Sequence, residues 1–216
     1  MRRVITLLVC LLPACELKNT LLRWVGHSIG DDVRIGPCVV FDVRRLDFGD
    51  RARMGTGNVL RGLDLVLLGE NAIIGHWNWI SASPAFRADG TDRGLLSLGA
   101  NATIVSRHFI DCSGGVLVDE YALLAGLRSV FLTHQVDYNT CTMIASSITI
   151  GAYSIVNACN KIVPGAHIPA RSITAMGAVI LPGLETQGRL YGGVPARDLK
   201  PVEGQWFHRI DARIEV

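Results

Sequence analysis

The stretch ITIGAYSIVNACNKIVPGAHIPARSITAMGAVI, residues 148–180, decides how the whole chain is read. Ile150, Val156, Ile162, Ile168, Thr174 and Ile180 follow one another at intervals of six. Four residues after most of them stands something small: Ser154, Ala166, Ser172, Ala178. A fixed period of this kind marks a repeat architecture rather than an ordinary alternation of strands and helices. One short strand and one corner make a unit of six. The aliphatic side chain points inward from the strand, and the small residue turns in where a larger one would not fit.

Working outward, the same period recurs upstream in groups of three. Ile29, Ile35 and Phe41 form one group, then Phe48, Met54 and Leu60, then Leu68, Ile74 and Ile80. Leu98, Ile104 and Ile110 follow, and Val118, Leu124 and Val130 make the fifth. Gly stands next to the leading aliphatic at Gly30, Gly49, Gly69, Gly99 and Gly151. Three hexapeptides make one turn of a triangular prism. Seven such coils, one strand spacing apart, predict a prism roughly 34 Å long. Longer intervals after Ile80 and Val130 predict insertions at 81–97 and 134–149, where binding groups tend to sit. The predicted organisation is an N-terminal capping helix over 1–28, the prism over 29–184, and a C-terminal tail and cap over 185–216.

Bulk composition fits a stacked aliphatic core: 49% of residues are apolar but only 6% aromatic. With 21 basic against 19 acidic residues and no basic cluster, the charge balance points away from nucleic acid as a partner. The six cysteines, Cys10, Cys15, Cys38, Cys112, Cys141 and Cys159, show no C-x-x-C pair and are read as reduced thiols packed as small apolar groups. Met1-Arg2-Arg3 ahead of the apolar run Val4 to Leu12 resembles a signal segment, and Leu11-Leu12-Pro13-Ala14-Cys15 a lipoprotein processing site. Leu17, Leu21 and Trp24 continue the apolar face at helical spacing, which favours a capping helix and a cytoplasmic protein. The run is too short to span a bilayer, so no stable membrane insertion is expected.

Four segments carry chemistry: Leu132-Thr133-His134, Ile148-Thr149-Ile150-Gly151, Ile162-Val163-Pro164-Gly165 and Gly192-Gly193-Val194-Pro195-Ala196-Arg197. With the repeats, these make residues 106–200 resemble the hexapeptide-repeat acyltransferases, particularly bacterial sugar O-acetyltransferases of the galactoside and surface-polysaccharide kind. The resemblance implies a left-handed parallel β-helix, an all-β fold with acetyl-CoA as co-substrate and no metal. It also implies His134 as general base. The chemistry is reasonable for the residue type, since a free imidazole titrates near about 6.5 and is available to take a hydroxyl proton at neutral pH. His108 and Asp111 are read as acceptor-binding or supporting residues. Asn78 and Asp137 join them, the latter as a candidate to orient the imidazole. His108 shares a corner position with Asn58, Asn78, Arg128 and Asn160, a column where Asn suits a left-handed backbone.

By the same resemblance, Gly126, Ala158 and Met176 fall on equivalent corners along which pantetheine would run, and Arg197 matches a basic residue able to meet a CoA phosphate. Met176 departs from the small residue expected there, and Leu181-Pro182 replaces a Thr-Lys pair. The flat prism face predicts a homotrimer with sites between neighbours and a small-molecule or glycan acceptor. Other readings of the prism are an N-acyltransferase acting on an amino sugar, a non-catalytic scaffold, and a γ-class carbonic anhydrase. The last needs three histidines at one zinc site, and no close-set pair stands in this sequence.

Overall fold

The computed structural model describes residues 2–86 and 91–210. Parts of the predicted loop 81–97 and of the tail 185–216, together with Met1, lie outside them. Short parallel strands stack into three sheets, each taking one strand from every coil. The coils span 28–41, 45–61, 65–81, 95–111, 116–131, 148–162 and 167–180. Sheet 1 holds the first strand of each coil, sheet 2 the second and sheet 3 the third. The fold is the left-handed parallel β-helix, and the aliphatic residues stack in columns down its axis. On sheet 1 these are Ile29, Phe48, Leu68, Leu98, Val118, Ile150 and Ile168, all buried.

Two corners depart from the strict period. Val40, not Phe41, faces inward in coil 1, because its corner is one residue short. Phe131, not Val130, does so in coil 5, where Gly126-Leu127-Arg128 adds a residue. The slip moves Ser129, not Arg128, into register with His108. The left-handed backbone also belongs to a different column. At the corner from sheet 2 to sheet 3 it falls on Gly57, Trp77, Arg107, Arg128 and Cys159, each immediately before the inward-facing Asn58, Asn78, His108, Ser129 and Asn160.

The insertions are shorter than their predicted ranges, because Ser81, Leu95–Leu98 and Ile148–Ile150 are strands of the prism. The second insertion is an antiparallel hairpin, His134–Asp137 against Thr142–Ala145. The N-terminal cap is two helices, α1 (Arg2–Cys10) and α2 (Glu16–Trp24), rather than one. They break at Pro13, which cannot continue the first. Cys15 is exposed between them, as are Cys141 and Cys159, so only Cys10, Cys38 and Cys112 pack as buried thiols.

Helix α2 covers the open strand edges of coil 1 with polar side chains, which a bare edge requires. Lys18 is fully buried, with Nζ 2.8–3.0 Å from the carbonyl oxygens of Cys10, Leu12, Ile35 and Gly36. Asn19 donates to Val33 O, and Arg23 donates to Ile29 O and Gly30 O, each at 2.8 Å. At the far end, Arg189–Gly193 adds an eighth strand to sheet 2 and turns back through Ala196–Pro201. The chain then straps the corner between sheets 1 and 2. Trp206 Nε1 donates to Tyr153 O at 2.9 Å, and the Arg209 guanidinium lies 3.7 Å from the Trp206 ring centre. No helix among the described residues is long and apolar enough to cross a membrane.

Candidate active site

Asp111 ends the sheet 3 strand of coil 4, and Thr133-His134 leaves the same edge one coil later. Stacking therefore brings together residues 23 positions apart: His134 Nδ1 lies 2.8 Å from Asp111 Oδ2. The same oxygen accepts from Thr133 N at 2.9 Å and Thr133 Oγ1 at 2.6 Å. Asp111 Oδ1 accepts from Ser113 N at 3.2 Å and Ser113 Oγ at 2.5 Å, closing a local Asx turn. Burial pushes the Asp111 carboxyl up, but the hydrogen bonds from Ser113, Thr133 and His134 outweigh it and hold it below its ordinary value. The carboxylate is thus ionised and acceptor-only, so His134 Nδ1 carries the proton and donates. Nε2 has no partner among the described residues, and in the neutral ring it carries the free lone pair.

Both insertions hold this pair. Thr133 O accepts from Ser146 N at 2.9 Å, closing the base of the hairpin, and Gly114 N donates to Thr133 Oγ1 at 2.8 Å. Ser83 N from the first insertion donates to Ser113 Oγ at 2.9 Å. From the same insertion, Phe86 sets its ring 5.5 Å from the imidazole, tilted by 37°. The His134 side chain is 32% exposed and Asp111 13%, at one end of a cleft of about 370 Å³ that runs along the sheet 3 edge to Phe41 and Arg61.

No family model matches the sequence, and no curated protein matches it. Among solved structures, the chain is similar to a variant of AntD, an N-acyltransferase from Bacillus cereus, in complex with dTDP-4-amino-4,6-dideoxyglucose and coenzyme A. Identity is 15%, with 89% of this chain and 92% of that one covered at a TM-score of 0.53. At this identity the likeness is one of fold. Weaker likenesses are a hexapeptide-repeat acetyltransferase from Vibrio cholerae complexed with acetyl coenzyme A and a maltose O-acetyltransferase from Clostridium difficile 630. The first is 20% identical, covers 94% and 86%, and scores 0.43. The second is 16% identical, covers 94% and 85%, and scores 0.38.

Within the hexapeptide-repeat fold, the other predicted site residues separate into three places. His108 and Asn78 lie inside the prism, each 1% exposed, and neither can meet an acceptor. They belong to a corner ladder in which a side-chain acceptor takes the backbone N–H of the next coil. Asn58 Oδ1 accepts from Asn78 N, Asn78 Oδ1 from His108 N, both at 2.9 Å, and His108 Nδ1 from Ser129 N at 3.2 Å. Burial pushes the His108 imidazole down to about 4. Asp137 does not orient His134: it lies along the hairpin, where its Oδ1 accepts from Asn139 N at 2.9 Å. Asp111 takes that position instead.

Gly126, Ala158 and Met176 do fall on one corner, between sheets 2 and 3 in coils 5 to 7. A Cβ on Gly126 would come within 2.5 Å of Ala158 Cβ, so only glycine allows this close stacking. Met176 is 72% exposed above them. Gly192 follows on the added strand, where a Cβ would come within 2.9 Å of Ala175 Cβ, and its hairpin partner is Arg197. Among the described residues no group of three or more His, Cys, Asp or Glu is gathered for a metal. Sequence reasoning did not single out Ser113, Phe86 or Arg61, and it named Thr133 only as part of the His134 segment. The Asp-x-Ser turn at Asp111 was a readable signal for the first; the others depend on stacking between coils.

Proposed function

We propose that the protein is a CoA-dependent acyltransferase that moves an acetyl or other short acyl group to a hydroxyl of a sugar or polysaccharide precursor. The observation that carries this reading is the His134–Asp111 pair, which leaves an unprotonated Nε2 at a cleft. The hydroxyl oxygen attacks the thioester carbonyl as Nε2 takes its proton. The C–S bond then breaks, and the imidazolium returns the proton to the departing thiolate of CoA. Asp111 keeps Nδ1 protonated and stabilises the imidazolium, so no acyl-enzyme and no reactive cysteine is needed. An amine acceptor is the second reading, supported by the likeness to AntD; the same base serves it. A supply of acyl-CoA implies work in the cytoplasm.

The arrangement also supports a homotrimer. His134 stands at the edge between sheets 3 and 1, whereas the Gly126–Ala158–Met176 column stands at the opposite edge of sheet 3. One prism placed beside another would bring the histidine of one to the small-residue corner of its neighbour. The outward face of sheet 3 carries Val39, Val59, Trp79, Phe109 and Val130 in register, an apolar strip for a second copy to cover. Light scattering at micromolar concentration should return a trimer, and a monomer would contradict shared sites.

Release of free thiol from acetyl-CoA with a panel of hydroxyl and amine acceptors tests the activity. His134→Ala should slow it about 10²- to 10⁴-fold, the worth of positioned proton transfer, with CoA affinity and melting temperature little changed. Undiminished turnover in that variant would remove histidine catalysis. Absence of thiol release with every acceptor, together with no CoA binding, would remove the enzyme reading.

A further inference from the structure

The cleft extends well past the catalytic pair, and its wall is ordered by the prism itself. Asp111, Ser81, Arg61 and Phe41 occupy the same register position, the last residue of the sheet 3 strand, on four successive coils. With strands about 4.8 Å apart, Arg61 stands roughly 10 Å and Phe41 roughly 14 Å along the axis from Asp111. All four line the cleft that holds His134. Arg61 is exposed, and while its carbonyl accepts from Ala82 N, its guanidinium makes no hydrogen bond or ion pair with any described residue. The nearest carboxylate on that wall, Asp42, is engaged by Arg3 instead. Phe41 is 49% exposed beside it. Gly62 keeps the strand tight behind Arg61, since a Cβ there would come within 2.2 Å of Ala82 O.

An unpaired guanidinium in a cleft is a site for a planar or tetrahedral anion. Its distance from the base leaves room for one sugar ring between the reacting hydroxyl and the anion, with the Ser81 hydroxyl beside that ring. We propose that the acceptor is a phosphate-bearing sugar, its phosphate held by Arg61, and that Phe41 stacks on the base of a nucleoside diphosphate attached there. This rests on the acyl-transfer reading of the cleft and assigns Arg61 and Phe41 a recognition role within it.

Isothermal titration of the full chain, with CoA present at saturation to occupy its own groove, tests the assignment. The probes are UDP, dTDP, GDP and inorganic pyrophosphate. At least one nucleoside diphosphate should bind, and Arg61→Ala should weaken it tenfold or more without lowering the melting temperature. Arg61→Lys should recover part of the loss. Phe41→Ala should weaken the nucleotide and leave pyrophosphate unchanged; if it weakens neither, the nucleotide half of the proposal is overturned and a simple sugar phosphate stands. Binding of none of the probes, or binding indifferent to Arg61→Ala, overturns the whole. A failure of the acyl-transfer reading shows separately, as a wild-type chain that does not bind CoA.

Discussion

His108 and His134 are both engaged by a neighbour at Nδ1, but one neighbour donates and the other accepts, and that difference sets which ring nitrogen keeps the proton. At His108 a backbone N–H donates to Nδ1, so the neutral ring must carry its proton on Nε2, buried without a partner. At His134 a carboxylate accepts from Nδ1, so the ring keeps Nε2 open toward the cleft. The first imidazole is a rung in a ladder of inward-facing corner residues; the second, the proposed base, faces the cleft with a carboxylate to orient it. A histidine in a hexapeptide repeat is therefore to be judged by the donor or acceptor that the neighbouring coil presents to it. Its place in the sequence motif does not decide the matter.

The comparison can be broken from either side. Asp111→Asn should cost the larger effect on turnover, between about tenfold and the roughly 10⁴-fold cost of a wrong tautomer in a histidine–carboxylate pair. It should also lower the melting temperature, because the carboxylate ties Ser113, Thr133 and His134 together. Measuring kcat on the folded fraction separates the two. Turnover equal to wild type would show that Asp111 only holds the loop.

On the other side, His108→Ala should leave turnover per folded molecule intact. It should cost about 1–3 kcal/mol of stability, the usual penalty for stranding the buried Ser129 N–H. His108→Asn should restore most of that, since Asn58, Asn78 and Asn160 occupy the same position on other coils. Acid sharpens the contrast. Burial holds both His108 and His27 down to about 4 in the folded chain. Above the unfolded value of about 6.5, both states carry neutral rings and nothing is lost. Between about 6.5 and about 4 only the unfolded chain takes up the protons, so the melting temperature should fall with pH across that window. His108→Asn should shallow the slope, leaving the part due to His27. A slope unchanged by the substitution would place His108 outside the buried ladder.

The repeat was legible because the aliphatic period survives in most groups, and it failed where a corner changed length. Phe41 and Val130 are themselves apolar, so pattern alone cannot show that Val40 and Phe131 take their places inside. His134 was singled out from its loop, and the carboxylate beside it was sought three residues away at Asp137. In a coiled repeat the nearest neighbours lie one coil off, which is where Asp111 stands. Asn78 and His108 invited a functional reading because polar residues at a corner look exposed; the backbone turns them inward to accept the next coil's N–H. Arg61 and Lys18 gave no signal, since one depends on a column across four coils and the other on helix α2 folding back over an open edge.

The central claim, that neighbours hold His134 with Nε2 free and His108 with Nε2 protonated, is tested most directly by nitrogen NMR. The ring resonances of the labelled full chain at neutral pH, assigned by single His→Asn substitutions, report the protonation of each nitrogen. The account predicts a pyridine-type Nε2 and a protonated Nδ1 for His134, and the reverse pair for His108. A protonated Nε2 on His134, or the same tautomer on both rings, would contradict it.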